Sequence, residues 1–291
     1  MAWLLALLVA LPAARAAVDA DEITSLPGWE GALPSRQWSG FLPIGGGKNY
    51  HYWLVASESA SAATDPVVLW VQGGPGGSSL EGMWVENMGP FALDARSTAT
   101  EPPTLFRSAS PWTAFANMLF WEAPAGVGFS YCDGGAACGP YNDTVAMADN
   151  AAFLCAFYAA YPELAENGLF ITGESYAGVY IPMAAVEYLA GGCGAGAPAP
   201  ALRGVAIGNG CTGTAAGPCA QHRATNTFEQ LAEHGFVSPP TRADVATACA
   251  DSQGYTRASV ACQRALVRAS DEAGTYSTCA DVEEDAPSLG E

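Results

Sequence analysis

Ser175 stands in Gly173-Glu174-Ser175-Tyr176-Ala177-Gly178, directly after the apolar run Leu169-Phe170-Ile171-Thr172. A β-run that stops at glycine and sets serine ahead of small residues and a helical pattern predicts a nucleophile elbow. The sharp strand-to-helix turn lifts the hydroxyl out of the sheet, and small neighbours relieve the crowding. A serine nucleophile needs a histidine base and an acid that orients the base. On an elbow of this kind the chain order is serine, then acid, then histidine. The segment after Ser175 therefore decides what the serine can do.

A second feature is Gly73-Gly74-Pro75-Gly76-Gly77-Ser78-Ser79, following the β-like run 66–72. A phosphate loop would need Lys and Ser or Thr after its glycines, and a dinucleotide loop would need G-x-G-x-x-G opening a helix. Neither pattern is met. Consecutive glycines after a strand instead let backbone approach a ligand and present free N–H groups. Such donors stabilise an oxyanion, and losing one costs roughly 3 kcal/mol of transition-state stabilisation. Taken alone, the loop reads as a tight turn and the Gly-x-Ser as a structural bend. Together they supply two donors, one from the glycine loop and one from the N–H of Tyr176.

The elements around these turns alternate. Residues 50–56, 66–72, 117–122, 169–172 and 203–207 read as strands, rich in aromatic and β-branched residues and bounded by turn formers. Residues 144–160 and 178–190 carry apolar positions at helical spacing. This alternation predicts an α/β fold with a mostly parallel sheet flanked by helices. After residue 211 cysteines recur, and helical patterns at 226–235, 241–250 and 258–269 replace strands, as in a helical cap or insertion. The expected organisation is a signal peptide at 1–16, a core at 17–210, a helical cap at 211–279 and an acidic tail at 280–291.

Composition narrows the function classes. Eleven basic against 29 acidic residues give a formal charge of −18, which repels nucleic-acid phosphates and anionic membranes. The apolar stretch Trp3–Leu11, then Pro12 and an alanine-rich run, matches a signal-peptide core and is too short to span a bilayer. Nine cysteines fit an oxidising compartment and leave one thiol over; their spacing does not settle the pairing. Cys132/Cys138, Cys211/Cys219 and Cys249/Cys262 are each near enough to close a short loop. No C-x-x-C pair occurs and histidine is scarce, so no metal site and no cofactor is expected. Asn142-Asp143-Thr144 is a glycosylation sequon, which fits secretion or a vacuolar or lysosomal destination.

The chain resembles a serine carboxypeptidase of the α/β-hydrolase fold. The resemblance rests on Leu69 to Leu80, Glu86-Asn87-Met88-Gly89-Pro90, Pro124 to Tyr131, Gly173 to Gly178, and Ile207-Gly208-Asn209-Gly210. It implies that Ser175 is the acyl-forming nucleophile and that Gly74 and Tyr176 give the oxyanion-hole N–H groups. It implies further that Gln72, Gly73, Glu86 and Glu174 hold the C-terminal carboxylate of a peptide or protein substrate. Carboxyl groups grip another carboxylate only by sharing protons, which implies activity favoured by acid.

Three departures from the family pattern stand out. Gln72 occupies a usual Asn position, and Gly77 a usual Cys position, which leaves Cys279 as the odd thiol. The family's triad Asp and His lie downstream of the helical insertion, where this sequence offers no match. His51 reads as a strand histidine, while His222 and His234 fall in the insertion. Asp244, Asp251, Asp271 and Asp281 fall in helical or tail sequence. The expectation is the N-terminal two-thirds of a serine carboxypeptidase, with little or no peptidase activity unless a second chain supplies Asp and His. A carboxypeptidase-like acyltransferase and a catalytically dead binding protein are the alternatives.

Overall fold

The computed structural model describes residues 19–135, 138–191, 193–194, 200–213, 219, 223–250 and 259–274. The expected signal peptide, His222, Asp251, Cys279, Asp281 and the acidic tail lie outside them. The chain divides into two compact units, one ending at Gly210 and one beginning at Cys211.

The first unit is built on one mixed sheet. In chain order its strands are β1 (Glu22–Ile23), β2 (Gln37–Gly45), β3 (Lys48–Val55), β4 (Val67–Val71), β7 (Asn117–Trp121), β8 (Tyr131–Cys132), β9 (Leu169–Glu174) and β10 (Leu202–Gly208). They lie in the order β1-β2-β3-β7-β4-β9-β10, with β8 paired to β3. β7, β4, β9 and β10 are mutually parallel, and the β1–β2–β3 meander joins them antiparallel through β3 and β7. A small separate ribbon pairs β5 (Phe91–Ala92) with β6 (Phe106–Arg107).

Every residue of β4 (Val-Val-Leu-Trp-Val) and β7 (Asn-Met-Leu-Phe-Trp) is buried. Continuous apolar runs are what a parallel strand covered on both faces requires. One face packs Tyr52, Leu69, Trp121, Phe153, Phe157 and Ile181 together, and the other packs Val68, Trp70, Met83, Met118 and Phe120. Helices α2 (Asp143–Ala160) and α3 (Ala177–Leu189) cover the first face, and the short α1 (Leu80–Trp84) lies on the second. The Asn142 side chain caps α2 by accepting the Val145 N–H at 2.9 Å. Cys155 on α2 is bridged to Cys193, and Cys132 to Cys138.

β2 escaped the sequence reading. Gly40, Pro43 and Gly45 interrupt its alternation, and its register slips between Pro43 and Gly45. Its partner β3 nonetheless holds it along nearly its whole length. Tertiary pairing overrides weak local propensity here.

The second unit contains α4 (Arg223–Glu233), α5 (Pro239–Ala248) and α6 (Val260–Ala273). Ser238 and Ser259 cap the last two by accepting the N–H groups of Thr241 and Cys262. Phe228, Val237, Val245, Cys249, Cys262 and Leu266 form its core, stapled by a Cys249–Cys262 bridge; Cys211 and Cys219 form another. Among the described residues no helix is long and apolar enough to cross a membrane.

Candidate active site

β4 and β9 are parallel neighbours with Val71 opposite Gly173. Their C-terminal ends therefore open side by side, one into the glycine loop and one into the serine turn. This register brings together two motifs a hundred residues apart in sequence.

At the end of β9, Ser175 adopts φ 60°, a left-handed conformation that costs a residue with a Cβ roughly 1–2 kcal/mol. The turn persists because its surroundings determine it. The Ser175 N–H donates to Gly208 O on β10 at 3.0 Å, and the Gly178 N–H returns to Ser175 O at 3.0 Å as α3 begins. Gly173 is required below it, because a Cβ there would collide with the Val71 carbonyl oxygen and press on Ala177. Gly73 is required beside it: a Cβ there would sit 2.7 Å from both Ser175 Cβ and the Tyr176 nitrogen.

The glycine loop closes on itself through Gly77 N–H to Gly73 O at 2.9 Å, and Ser79 Oγ accepts the Gln72 N–H at 3.0 Å. Gly74 takes φ 113°, which a larger residue could not hold without strain. Among the described residues, neither the Gly74 N–H nor the Tyr176 N–H has an acceptor. The Tyr176 hydroxyl donates to Asp143 Oδ1 at 3.0 Å, tying the turn to the start of α2. Burial pushes the Tyr180 hydroxyl up to about 12.

Gln72 and Glu86 are directly joined. Gln72 Nε2 donates to Glu86 Oε1 at 3.2 Å, and Trp70 Nε1 donates to Gln72 Oε1 at 2.8 Å. Burial raises the Glu86 carboxyl above its ordinary range, and the charges of Glu174 and Glu81 push it further the same way; the Gln72 bond opposes them. Glu86 therefore keeps its proton to a higher pH than an ordinary glutamate. A protonated carboxyl can donate to an incoming carboxylate.

Two histidines fall among the described residues. His51 on β3 is engaged with Ser39 and Glu122, and His234, just past α4, sits 2.8 Å from Gln230 O through Nδ1. Asp244 and Asp271 lie on α5 and α6. In the unit that carries Ser175 the described histidine is His51, engaged by Ser39 and Glu122, and among the described residues no group of His, Cys, Asp and Glu could hold a metal ion.

The family model described as serine carboxypeptidase matches residues 27–286. The chain belongs to the serine carboxypeptidase family. The lysosomal protective protein of Mus musculus is 43% identical over 196 residues, which is 67% of this chain and 38% of the relative. Serine carboxypeptidase 1 of Hordeum vulgare is 38% identical over 201 residues, 68% of this chain and 40% of the relative. The chain thus spans about two-fifths of the length of these two relatives. A solved prohormone-processing carboxypeptidase from Saccharomyces cerevisiae shares the fold. Its TM-score is 0.62 at 20% identity, covering 82% of this chain and 53% of that one.

Family membership makes this a hydrolase-family chain on an α/β-hydrolase-type sheet. The sequence reading named the glycine loop and the serine turn, and the structure sets them side by side. It passed over two contacts that hold them there: Tyr176 to Asp143 and Ser78 to the buried Glu122. The Pro124 to Tyr131 motif was the available signal for the last, because that loop wraps the Glu122 carboxylate.

Proposed function

We propose that this chain carries the nucleophile of a serine-type carboxypeptidase, which releases C-terminal amino acids from peptides through an acyl-Ser175 intermediate. The observation that carries this reading is the pair of unengaged N–H groups, Gly74 and Tyr176, flanking a serine held at φ 60°. In the acylation step Ser175 Oγ bonds to the scissile carbonyl carbon, and the carbonyl oxygen becomes an oxyanion received by those two donors. The hydroxyl proton passes to a base and then to the departing amine. Water later releases the acyl group.

Glu86 and Glu174, with Gln72 and the Gly73 backbone, receive the substrate's terminal carboxylate. The raised Glu86 carboxyl and its neighbouring negative charge support that role, since two ionised groups would repel a third. The longer Gln72 arm reaches both Trp70 and Glu86, which keeps its amide at the cluster. In this reading a second chain supplies the base and its orienting acid, since the family's triad Asp and His find no match in this sequence.

Four bridges among the described cysteines support a secretory-pathway destination. Asn142 is exposed, and its Oδ1 caps α2; the exposure supports its use as a glycan site. Residues 1–16 act as the signal peptide and 211–279 as a helical cap.

A fluorophosphonate tests the reading directly. Mass spectrometry should place the adduct on Ser175 and find none in Ser175→Ala. An unlabelled Ser175 in folded protein would remove the nucleophile and with it the proposal.

A further inference from the structure

Glu122, at the end of β7, is 2% exposed, yet its carboxylate is held by three different segments. Ser78 Oγ of the glycine loop donates to Oε1, and the Phe129 N–H donates to Oε2 at 2.7 Å. His51 Nδ1 lies 3.0 Å from Oε2, without the alignment of a full hydrogen bond. Behind it, His51 Nε2 meets Ser39 Oγ at 2.8 Å. Backbone joins the same groups, since the Glu122 N–H donates to His51 O and Ser130 Oγ donates to Glu122 O. Gly128 is required alongside, because a Cβ there would collide with the carboxylate.

The order Ser39, His51, Glu122 is that of a catalytic triad, so a second nucleophile has to be weighed. Ser39 lies within β2 opposite Trp53, and its own N–H is given to Asp21 O at 2.9 Å. That N–H is therefore not free to receive an oxyanion. What the cluster does hold is the loop that carries Gly73 and Gly74. A buried carboxylate accepting several hydrogen bonds is fixed in position, and it fixes its donors in return.

We infer that Glu122, backed by His51, is a positioning residue that holds the glycine loop, through Ser78, in the geometry that aims the Gly74 N–H at the Ser175 site. It touches no substrate and acts through Ser78 alone. This inference rests on the carboxypeptidase reading for its consequence but not for its structural content. The two therefore fail separately.

Hydrogen exchange on the full chain reads the loop without any chemistry. In Ser78→Ala, which removes one hydroxyl and keeps the core, the amides of Gly77 and Ser79 should exchange about tenfold faster while those of α2 stay within about twofold. Glu122→Ala should do the same or more. Glu122→Gln should recover most of the protection, because Gln can still accept the Phe129 N–H and meet a turned Ser78 hydroxyl. Ser175 phosphonylation should slow by a similar factor in Ser78→Ala and recover in Glu122→Gln. Unchanged loop exchange in Ser78→Ala, or loosening no greater than that of α2, overturns the inference. So does an adduct on Ser39. If wild-type Ser175 takes no label while the exchange pattern holds, the carboxypeptidase reading fails and the positioning stands.

Discussion

Gly73 lies against Ser175 so closely that a methyl group on it would come within 2.7 Å of the serine Cβ. The glycine at the head of the loop is thus a spacer between two strand ends, set by the register of β4 and β9. Gly73→Ala should push the loop away from the turn. Overpacking of this kind costs about 1–3 kcal/mol, so the urea midpoint should fall. Ser175 labelling should fall by more than the loss of folded protein accounts for.

Ser175→Gly gives the opposite sign in stability. Glycine relieves a left-handed strain of roughly 1–2 kcal/mol and loses about 0.5–1 kcal/mol in backbone entropy. The variant should unfold at an equal or higher urea concentration while taking no phosphonate. A clear destabilisation would show that the turn is not strained.

Glu86 sets a pH dependence. Its folded carboxyl is raised above the ordinary glutamate range, first by burial. Its stabilising contribution is complete below the unfolded pKa and is lost as pH rises through the folded one. Affinity for a blocked dipeptide, measured by calorimetry, should therefore weaken as pH rises through that range. Glu86→Gln keeps an N–H donor at all pH values and should flatten the profile. An unaltered profile in Glu86→Gln would move the titrating group elsewhere.

The Cys155–Cys193 bridge ties α2 to the segment after α3 across 38 residues. Closing a loop of that length removes unfolded-state entropy worth about 4 kcal/mol on the chain-entropy account. A Cys155→Ala/Cys193→Ala variant should show the largest loss of any single bridge removal. Cys132–Cys138, with a separation of six, should cost less. Urea titrations of both variants compare them directly.

How much of this was legible beforehand differs from residue to residue. β4 was visible because a buried parallel strand is an unbroken apolar run, and β9 because its apolar start runs into the serine turn. β2 was not, because glycine and proline dilute its pattern and only the pairing with β3 supplies its structure. Ser175 and Gly73–Ser79 announced themselves by type and spacing. Glu122 did not, since a lone glutamate after an apolar strand looks like a surface residue until its donors are in place.

The residue order alone determined the α/β alternation, the serine turn, the glycine loop and the family signature, because each depends on local conformation or short-range spacing. Only the tertiary structure decided that Val71 stands opposite Gly173, that Gln72 reaches Glu86, and that Ser78, His51 and Phe129 converge on one carboxylate. Those relationships depend on which strands pair and in what register, and strand pairing joins residues that the sequence keeps far apart.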